Sequence, residues 1–283
     1  MLEINRLSFP GLGIGPFEVN STAFTIFGLE VAWYALIITF GMVLAVCYII
    51  LRAKGIGVTL DDIIDYVIFV IPIGVLGARL YYVIMEIENY SSLAEVFNFR
   101  EGGLAIYGGI LAGTLTVYIV CRVKKISFAA FGDCVVPGLI LAQAIGRWGN
   151  FINAEAHGGE TDIFIRMGIE QLGGDFIYVH PTFLYESLWN IIGFIAINFL
   201  YKYKKYDGQI ILAIFGWYGL GRMFIEGMRT DSLYLFGTSI RVSQALAALI
   251  FVGCFAALVY FAIKPPKKEF YFKTSAEKEE KKD

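Results

Sequence analysis

The chain has 283 residues, 57% hydrophobic and only 17% charged, with a formal net charge of −2 and a mean hydropathy of +0.65. Soluble domains carry about 25% charged residues, so this composition excludes a soluble enzyme and requires a polytopic membrane protein. The four cysteines, Cys47, Cys121, Cys134 and Cys254, lie singly in or beside apolar runs without CxxC spacing. That spacing supports neither a disulfide framework nor a cysteine metal site.

Met1 to Phe27 mixes Glu3, Arg6 and Glu18 with a Gly/Pro-rich middle, Phe9 to Pro16. It lacks the basic head and apolar core of a signal peptide, so the first span is expected to be retained. Gly11-Leu12-Gly13-Ile14-Gly15 lacks the strand and helix context of a nucleotide loop. Seven apolar runs follow, near Glu30–Leu51, Tyr66–Met85, Leu104–Arg122, Phe131–Ile145, Phe183–Tyr201, Ile210–Glu226 and Val242–Ile263. A bilayer needs about 20 helical residues at 1.5 Å rise each. The fourth run is the shortest and reaches that length only if its helix continues through Arg147 and Asn150. Asn89 to Phe99 is expected to form a short interfacial helix.

The expected fold is therefore all-α, a single membrane domain over residues 1–263 with seven transmembrane helices. Residues 151–180 are expected as an outer-side loop region forming a small cap, and 264–283 as a charged, solvated cytoplasmic tail. Fifteen of the 23 basic residues fall in the loops after spans one, three and five and in that tail. By the positive-inside rule this side is cytoplasmic and the N-terminus lies outside.

Charged side chains are costly within a bilayer, by about 2.5–3.5 kcal/mol at a helix centre. Three polar clusters at span ends therefore stand out, all toward the expected outer side. The first runs from Gly146 to Gly158. Gln143, Arg147 and Asn150 are spaced to share one helix face, and Glu155 follows; Gly138, Ala142 and Gly146 recur every four residues, which favours close helix packing. Snorkelling would explain Arg147 alone better than it explains the whole set. In the second cluster Tyr218, Arg222, Glu226 and Arg229 form one stripe. An Arg222–Glu226 pair within the helix would account for part of it without function. The third runs from Arg100 to Gly109, where Gly102 and Gly103 precede Tyr107; Gly109 and Gly113 form a GxxxG packing face. Arg79 and Glu86 are spaced to pair or to line one cavity. His180-Pro181 opens span five, followed by Tyr185-Glu186. His157 and His180 have no third ligand at a convincing spacing, so a zinc site is not expected.

Arg147 and Arg222, on different helices and without a metal-ligand cluster, point to an anion site, because guanidinium binds phosphate bidentately and stays charged when desolvated. A phosphate at that depth is most plausibly a phospholipid head group. The residues alone do not name a reaction. A lipid or organic-anion transporter would use similar arginines, although related halves and broken helices are not visible. An alcohol phosphotransferase would need a metal-binding aspartate array, and Asp61, Asp62 and Asp65 have neither its spacing nor its side.

The stretch Gly146-Arg147-Trp148-Gly149-Asn150-Phe151-Ile152-Asn153-Ala154-Glu155-Ala156-His157-Gly158 closely resembles the signature of prolipoprotein diacylglyceryl transferases, G-R-x-G-N-F-x-N-x-E-x-x-G. The resemblance extends through Trp33-Tyr34, the Gly102-Gly103 to Gly109 block, His180-Pro181 to Glu186 and Tyr218 to Glu226, in the family's order. It implies transfer of the sn-1,2-diacylglyceryl group of phosphatidylglycerol to the lipobox cysteine thiol of a prolipoprotein, in the bacterial cytoplasmic (inner) membrane. A thioether forms and sn-glycerol 1-phosphate is released. By position, the resemblance gives catalytic roles to Arg147, Arg222, Tyr107, Asn150, Glu155 and Glu226. It has Arg147, Arg222, Tyr34 and Tyr218 bind the lipid. Its expected partners are phosphatidylglycerol, prolipoprotein signal peptides and the bilayer; no cofactor, metal or nucleic acid is expected. Some family members carry histidine at the position of Tyr107. Tyrosine, with a reference pKa of about 10, is a poor base, so positioning is its expected role, and Glu155 or a water is left to take the thiol proton.

Overall fold

The computed structural model describes residues 4–90, 92–98, 102–171, 174–234, 238–264 and 266. Phe99, Arg100, Glu101 and almost all of the expected tail lie outside these residues. Eight helices are described: α1 (Trp33–Ala53), α2 (Leu60–Met85), α3 (Leu93–Val96), α4 (Ile106–Lys124), α5 (Phe128–Ile152), α6 (Thr182–Leu200), α7 (Gln209–Met228) and α8 (Val242–Ile263). Among the described residues all but α3 are long and apolar enough to cross a membrane, seven in number as expected. Their outward side chains include Phe40, Ile68, Leu249 and Phe255, the apolar exposure that lipid contact requires. The fourth span does continue through Arg147 and Asn150, and α5 reaches 25 residues as a result. Of the helix expected over Asn89 to Phe99, the described residues show the single turn α3, capped by Ser92.

Two compact units divide the chain. The first comprises the described parts of Met1–Tyr48 and Asp133–Lys267, the second those of Ile49–Gly132.

In the first unit, α5 packs on α1 through the small residues seen in the sequence. A Cβ on Gly138 would lie 3.1 Å from the Ala45 carbonyl oxygen, and one on Gly41 would lie 3.1 Å from that of Ala142. Val136 and Ile140 of α5 meet Ile197 of α6 and Ile210 and Ile214 of α7 in a buried apolar cluster. Trp189 of α6 and Trp217 of α7 stack with centroids 4.2 Å apart, and each indole Nε1 donates to the other's carbonyl oxygen at 2.9 Å. At the far end of α5, the fully buried Asp133 caps α7: it accepts from the backbone of Gly208 at 2.8 Å and Ile211 at 2.9 Å. Lys204 supplies the counter-charge at 2.9 Å.

The all-α reading holds for the spans, but the first unit also contains six strands that were not expected. β1 (Ile4–Phe9), β2 (Ile14–Asn20), β5 (Met167–Glu170) and β6 (Phe176–Val179) form an antiparallel sheet in the order β2-β1-β5-β6. The glycine-rich stretch rejected as a nucleotide loop is the β1–β2 connection, with Gly13 and Gly15 at positive φ. Leu7, Met167, Ile169 and Val179 pack on Phe183 in the first turn of α6, with Phe151 beside them. The sheet is thus seated where α5 ends and α6 begins. β3 (Thr22–Ile26) and β4 (Leu29–Ala32) make a hairpin that runs into α1 without a loop. These strands are four to seven residues long, too short and too mixed in polarity for a period-two signal to emerge.

In the second unit α2 and α4 pack face to face. A Cβ on Gly77 would reach the Gly108 carbonyl oxygen at 2.8 Å, and Gly109 and Gly113 face Gly74 and Val70. This is the packing role expected of those glycines. Arg79 is turned away from the expected Glu86 pairing. Its guanidinium donates to the carbonyls of Glu95, Val96, Asn98, Gly102 and Gly103 at 2.6–3.1 Å. A buried fork of five donors satisfies a turn of backbone better than a single carboxylate could. Lys124 bridges Asp62 and Asp65, both at 2.7 Å.

Candidate functional site

The site is assembled in the first unit from α5, α6 and α7 and the turn after α5. Gln143, Arg147 and Asn150 share a face of α5, as their spacing requires. Arg147 Nη1 donates to Asn150 Oδ1 at 3.0 Å, and its Nη2 lies 2.6 Å from Glu186 Oε1 on α6. Arg222 Nη1 of α7 approaches the other oxygen, Glu186 Oε2, at 2.9 Å. Its Nη2 lies 2.5 Å from Glu226 Oε2, so the pair expected within α7 exists alongside a second one. Gln143 Nε2 adds a bond to Glu186 Oε1 at 3.3 Å, and Asn190 Nδ2 donates to Gln143 Oε1 at 3.3 Å. The Tyr218 hydroxyl bonds Gln143 and lies in the field of Glu186 and both arginines. The glutamate at the centre is 3% exposed and the arginine side chains 17% and 14%. At this burial each charge needs its partners. Arg147 Nε is buried and has no acceptor among the described residues.

Past Ile152 the chain turns sharply. Ala154 and Ala156 take φ of 52° and 56°, left-handed values that cost a side-chain-bearing residue about 1–2 kcal/mol each. This turn brings Glu155 back onto α5, where its Oε1 accepts from Asn150 Nδ2 at 2.9 Å and Asn153 Nδ2 at 3.3 Å. Tyr34, in the first turn of α1, lies in the field of Glu155 and Arg147. Its ring fills the space beside Gly149, where a Cβ would be 2.5 Å from Tyr34 Cδ2. Gly158 ends the stretch. It donates to the His180 carbonyl oxygen at 2.9 Å and leaves no room for a side chain, since a Cβ would meet His180 Cβ at 2.6 Å and the Met228 carbonyl oxygen at 3.0 Å. The motif glycines thus let α1, α6 and α7 close around Arg147.

The segment after α7 completes this end. Ser232 donates to Glu226 Oε1 at 2.8 Å, and Arg241 donates to the Glu226 carbonyl oxygen. Arg229 leaves the α7 stripe to pair with Asp231 at 2.6 Å. That guanidinium holds the Asp231 carboxyl below the usual carboxylate range, by direct hydrogen bonding first and against a smaller opposing effect of burial.

Seven of the eight residues singled out from the sequence, Tyr34, Arg147, Asn150, Glu155, Tyr218, Arg222 and Glu226, therefore meet in one unit. The eighth, Tyr107, belongs to the second unit, in the first turn of α4. Glu186 was not among the candidates, although it joins the two arginines. Its signal was an acidic residue five places into the apolar helix Thr182-Phe183-Leu184-Tyr185-Glu186, a placement the bilayer disfavours without a cationic partner.

The family model for prolipoprotein diacylglyceryl transferases matches residues 21–260. A phosphatidylglycerol–prolipoprotein diacylglyceryl transferase of Clostridioides difficile (strain 630) is 44% identical over 247 residues, covering 87% of this chain and 97% of the relative. The relative of that description numbered 1 in Clostridium perfringens (strain 13 / Type A) is 43% identical over 265 residues, 90% of this chain and 99% of its own. One from Enterococcus faecalis (strain ATCC 700802 / V583) is 42% identical over 278 residues, 94% and 97% respectively. With a match over most of its length and relatives of this identity, the chain belongs to the prolipoprotein diacylglyceryl transferase family.

Proposed function

We propose that the arginine constellation of the first unit moves the diacylglyceryl group of phosphatidylglycerol onto the lipobox cysteine of a prolipoprotein at the outer side of the cytoplasmic membrane. The observation that carries this reading is the convergence of Arg147 and Arg222, from α5 and α7, on one buried point. Membership of the family supplies the reaction, and the loop lysines and arginines support an N-terminus outside and a tail inside. On that orientation the four-stranded sheet covers the outer end of the site.

In the reaction the substrate sulfur attacks the glyceryl carbon that bears the phosphate ester oxygen. A carbon–sulfur bond forms, the carbon–oxygen bond breaks, and its electron pair stays on the phosphate oxygen. The phosphate passes from one negative charge to two. Guanidinium groups fixed in a low-dielectric site stabilise that increase more than they stabilise the starting lipid, which is the requirement for catalysis. The free Nε of Arg147 gives this arginine a further donor for a phosphate oxygen. Tyr34 and Tyr218 orient the lipid beside it.

The thiol proton goes to Glu155. Glu186 and Glu226 are both already paired with guanidinium groups. The contacts of Glu155 are neutral amide donors, and Asn150 links it to Arg147 without transferring charge. The test is direct: purified enzyme is given phosphatidylglycerol labelled in its acyl chains and a lipobox peptide. Label is expected on the peptide thiol and is expected to vanish with Arg147→Ala. Transfer that survives Arg147→Ala, or wild-type protein that moves lipid across vesicles without modifying the peptide, overturns the reading.

A further inference from the structure

Glu186 has no step in this scheme, yet it is the most deeply engaged carboxylate of the site. Its two oxygens face different arginines at 2.6 and 2.9 Å, and its side chain is 3% exposed. Gln143, itself held by Asn190, fixes the carboxylate from a third side. Arg147, Arg222, Glu186 and Glu226 together carry two positive and two negative charges, so the cluster is neutral before any substrate arrives. A site shaped only to hold phosphate would leave its arginines uncompensated.

We propose that Glu186 is the residue that lets the phosphate product go, by competing with it for Arg147 and Arg222. This inference rests on the diacylglyceryl-transfer reading above. The charge that grows on the phosphate as carbon–oxygen cleavage proceeds attracts the arginines most strongly in the product, a doubly charged glycerol phosphate. Unopposed, the field that accelerates the step would also trap what it makes. A fixed carboxylate beside the phosphate opposes this in two ways. It repels a doubly charged product about twice as strongly as a singly charged lipid diester, because the interaction scales with the product of the charges. It also keeps both guanidinium groups paired when the product leaves, so departure exposes no buried, uncompensated cation. Glu186 is thus a positioning and release residue that acts through the arginines.

The purified full-length enzyme is assayed with phosphatidylglycerol and lipobox peptide, with sn-glycerol 1-phosphate as product inhibitor, comparing wild type with Glu186→Gln. The variant keeps the side chain's shape and removes its charge. Its inhibition constant for sn-glycerol 1-phosphate is expected to fall at least about tenfold. KM for phosphatidylglycerol should fall less and kcat should drop, with a burst of one turnover before the slow steady state. A purely structural role lowers kcat with no burst and no change in the inhibition constant, and that result overturns the proposal. If Glu186→Gln supports no transfer, binding of labelled sn-glycerol 1-phosphate to Glu186→Ala decides. Tighter binding than wild type upholds the proposal, and equal or weaker binding sinks it. Wild-type protein without transferase activity would instead defeat the underlying reading, so the two failures are distinguishable.

Discussion

Gly149 offers the sharpest test of how the motif works, because replacing it with alanine changes no charge and removes no hydrogen bond. A Cβ at 149 would stand 2.5 Å from Tyr34 Cδ2, 3.2 Å from Cε2 and 3.4 Å from Cγ. Carbon atoms prefer separations of about 3.5–4.0 Å, so the tyrosine ring must retreat by about 1 Å. Overpacking of this kind costs about 1–3 kcal/mol. If the displaced ring carries that cost into the transition state, kcat/KM falls about 5- to 150-fold. Gly146 is the internal control. It is also a fixed position of the motif, one turn earlier on α5, but a Cβ there would meet Ile38 Cγ1 at 3.9 Å, an ordinary contact. Gly146→Ala is therefore expected within about twofold of wild type, with both variants measured by lipid transfer to a lipobox peptide. Equal losses at the two positions, or no loss in Gly149→Ala, would refute the argument that Gly149 is there to admit the Tyr34 ring.

Three further outcomes are expected. Glu155→Gln should lower kcat by about 10²-fold or more, the usual contribution of a general base, while Tyr107→Phe stays within about threefold; the reverse pattern would move the proton acceptor to Tyr107. Trp189→Phe and Trp217→Phe each delete one of the reciprocal indole bonds, at about 1 kcal/mol. Because the two rings act as one clasp, the double variant should depart from additivity by at least about 0.5 kcal/mol in detergent unfolding, and strict additivity would show two independent contacts. Arg229 holds Asp231 below its ordinary value, so the pair stabilises the fold above the unfolded carboxylate range. That contribution fades as pH falls through the lower folded value. Asp231→Asn should lower the unfolding temperature at pH 7, by an amount limited to about 1 kcal/mol because the Asp231 side chain is 50% exposed, and the difference should shrink steadily as pH is lowered below the ordinary carboxylate range; a difference that does not shrink with acid would assign the effect to packing.

Much of the membrane part was legible because the bilayer enforces strong patterns. Long apolar runs gave the seven spans, and Gly138, Ala142 and Gly146 marked the face that α1 covers. The fourth run, bounded at Ile145 in the sequence, meets the condition set for it, since its helix continues through Arg147 and Asn150 to Ile152. The pairing of Arg222 with Glu226 followed from spacing within one helix. Its second bond, to Glu186, did not, because contacts between helices depend on rotation and depth that one helix's sequence does not encode. Arg79 fails for the same reason: spacing offered Glu86, whereas the structure offers the carbonyls of a turn that packs nearby. The sheet was hidden because Leu7, Ile169 and Val179 become a core only when strands more than 150 residues apart in sequence pair, as Leu7 does with Ile169.

The capping of α7 by Asp133 has a consequence for how the protein is made. Asp133 belongs to the fourth span, but the backbone amides that satisfy it, at Gly208 and Ile211, follow 75 and 78 residues later. As α5 enters the membrane, then, it carries an acid whose partners have not yet been synthesised. Asp133 is the sixth residue of the 25 in α5, so the unpaired acid costs less than a charge at a helix centre, about 2.5–3.5 kcal/mol, but lipid offers it no partner. The arrangement favours late commitment: α5 settles when α7 arrives to be capped. The same contact joins α5 to α7 at the ends opposite those that carry Arg147 and Arg222.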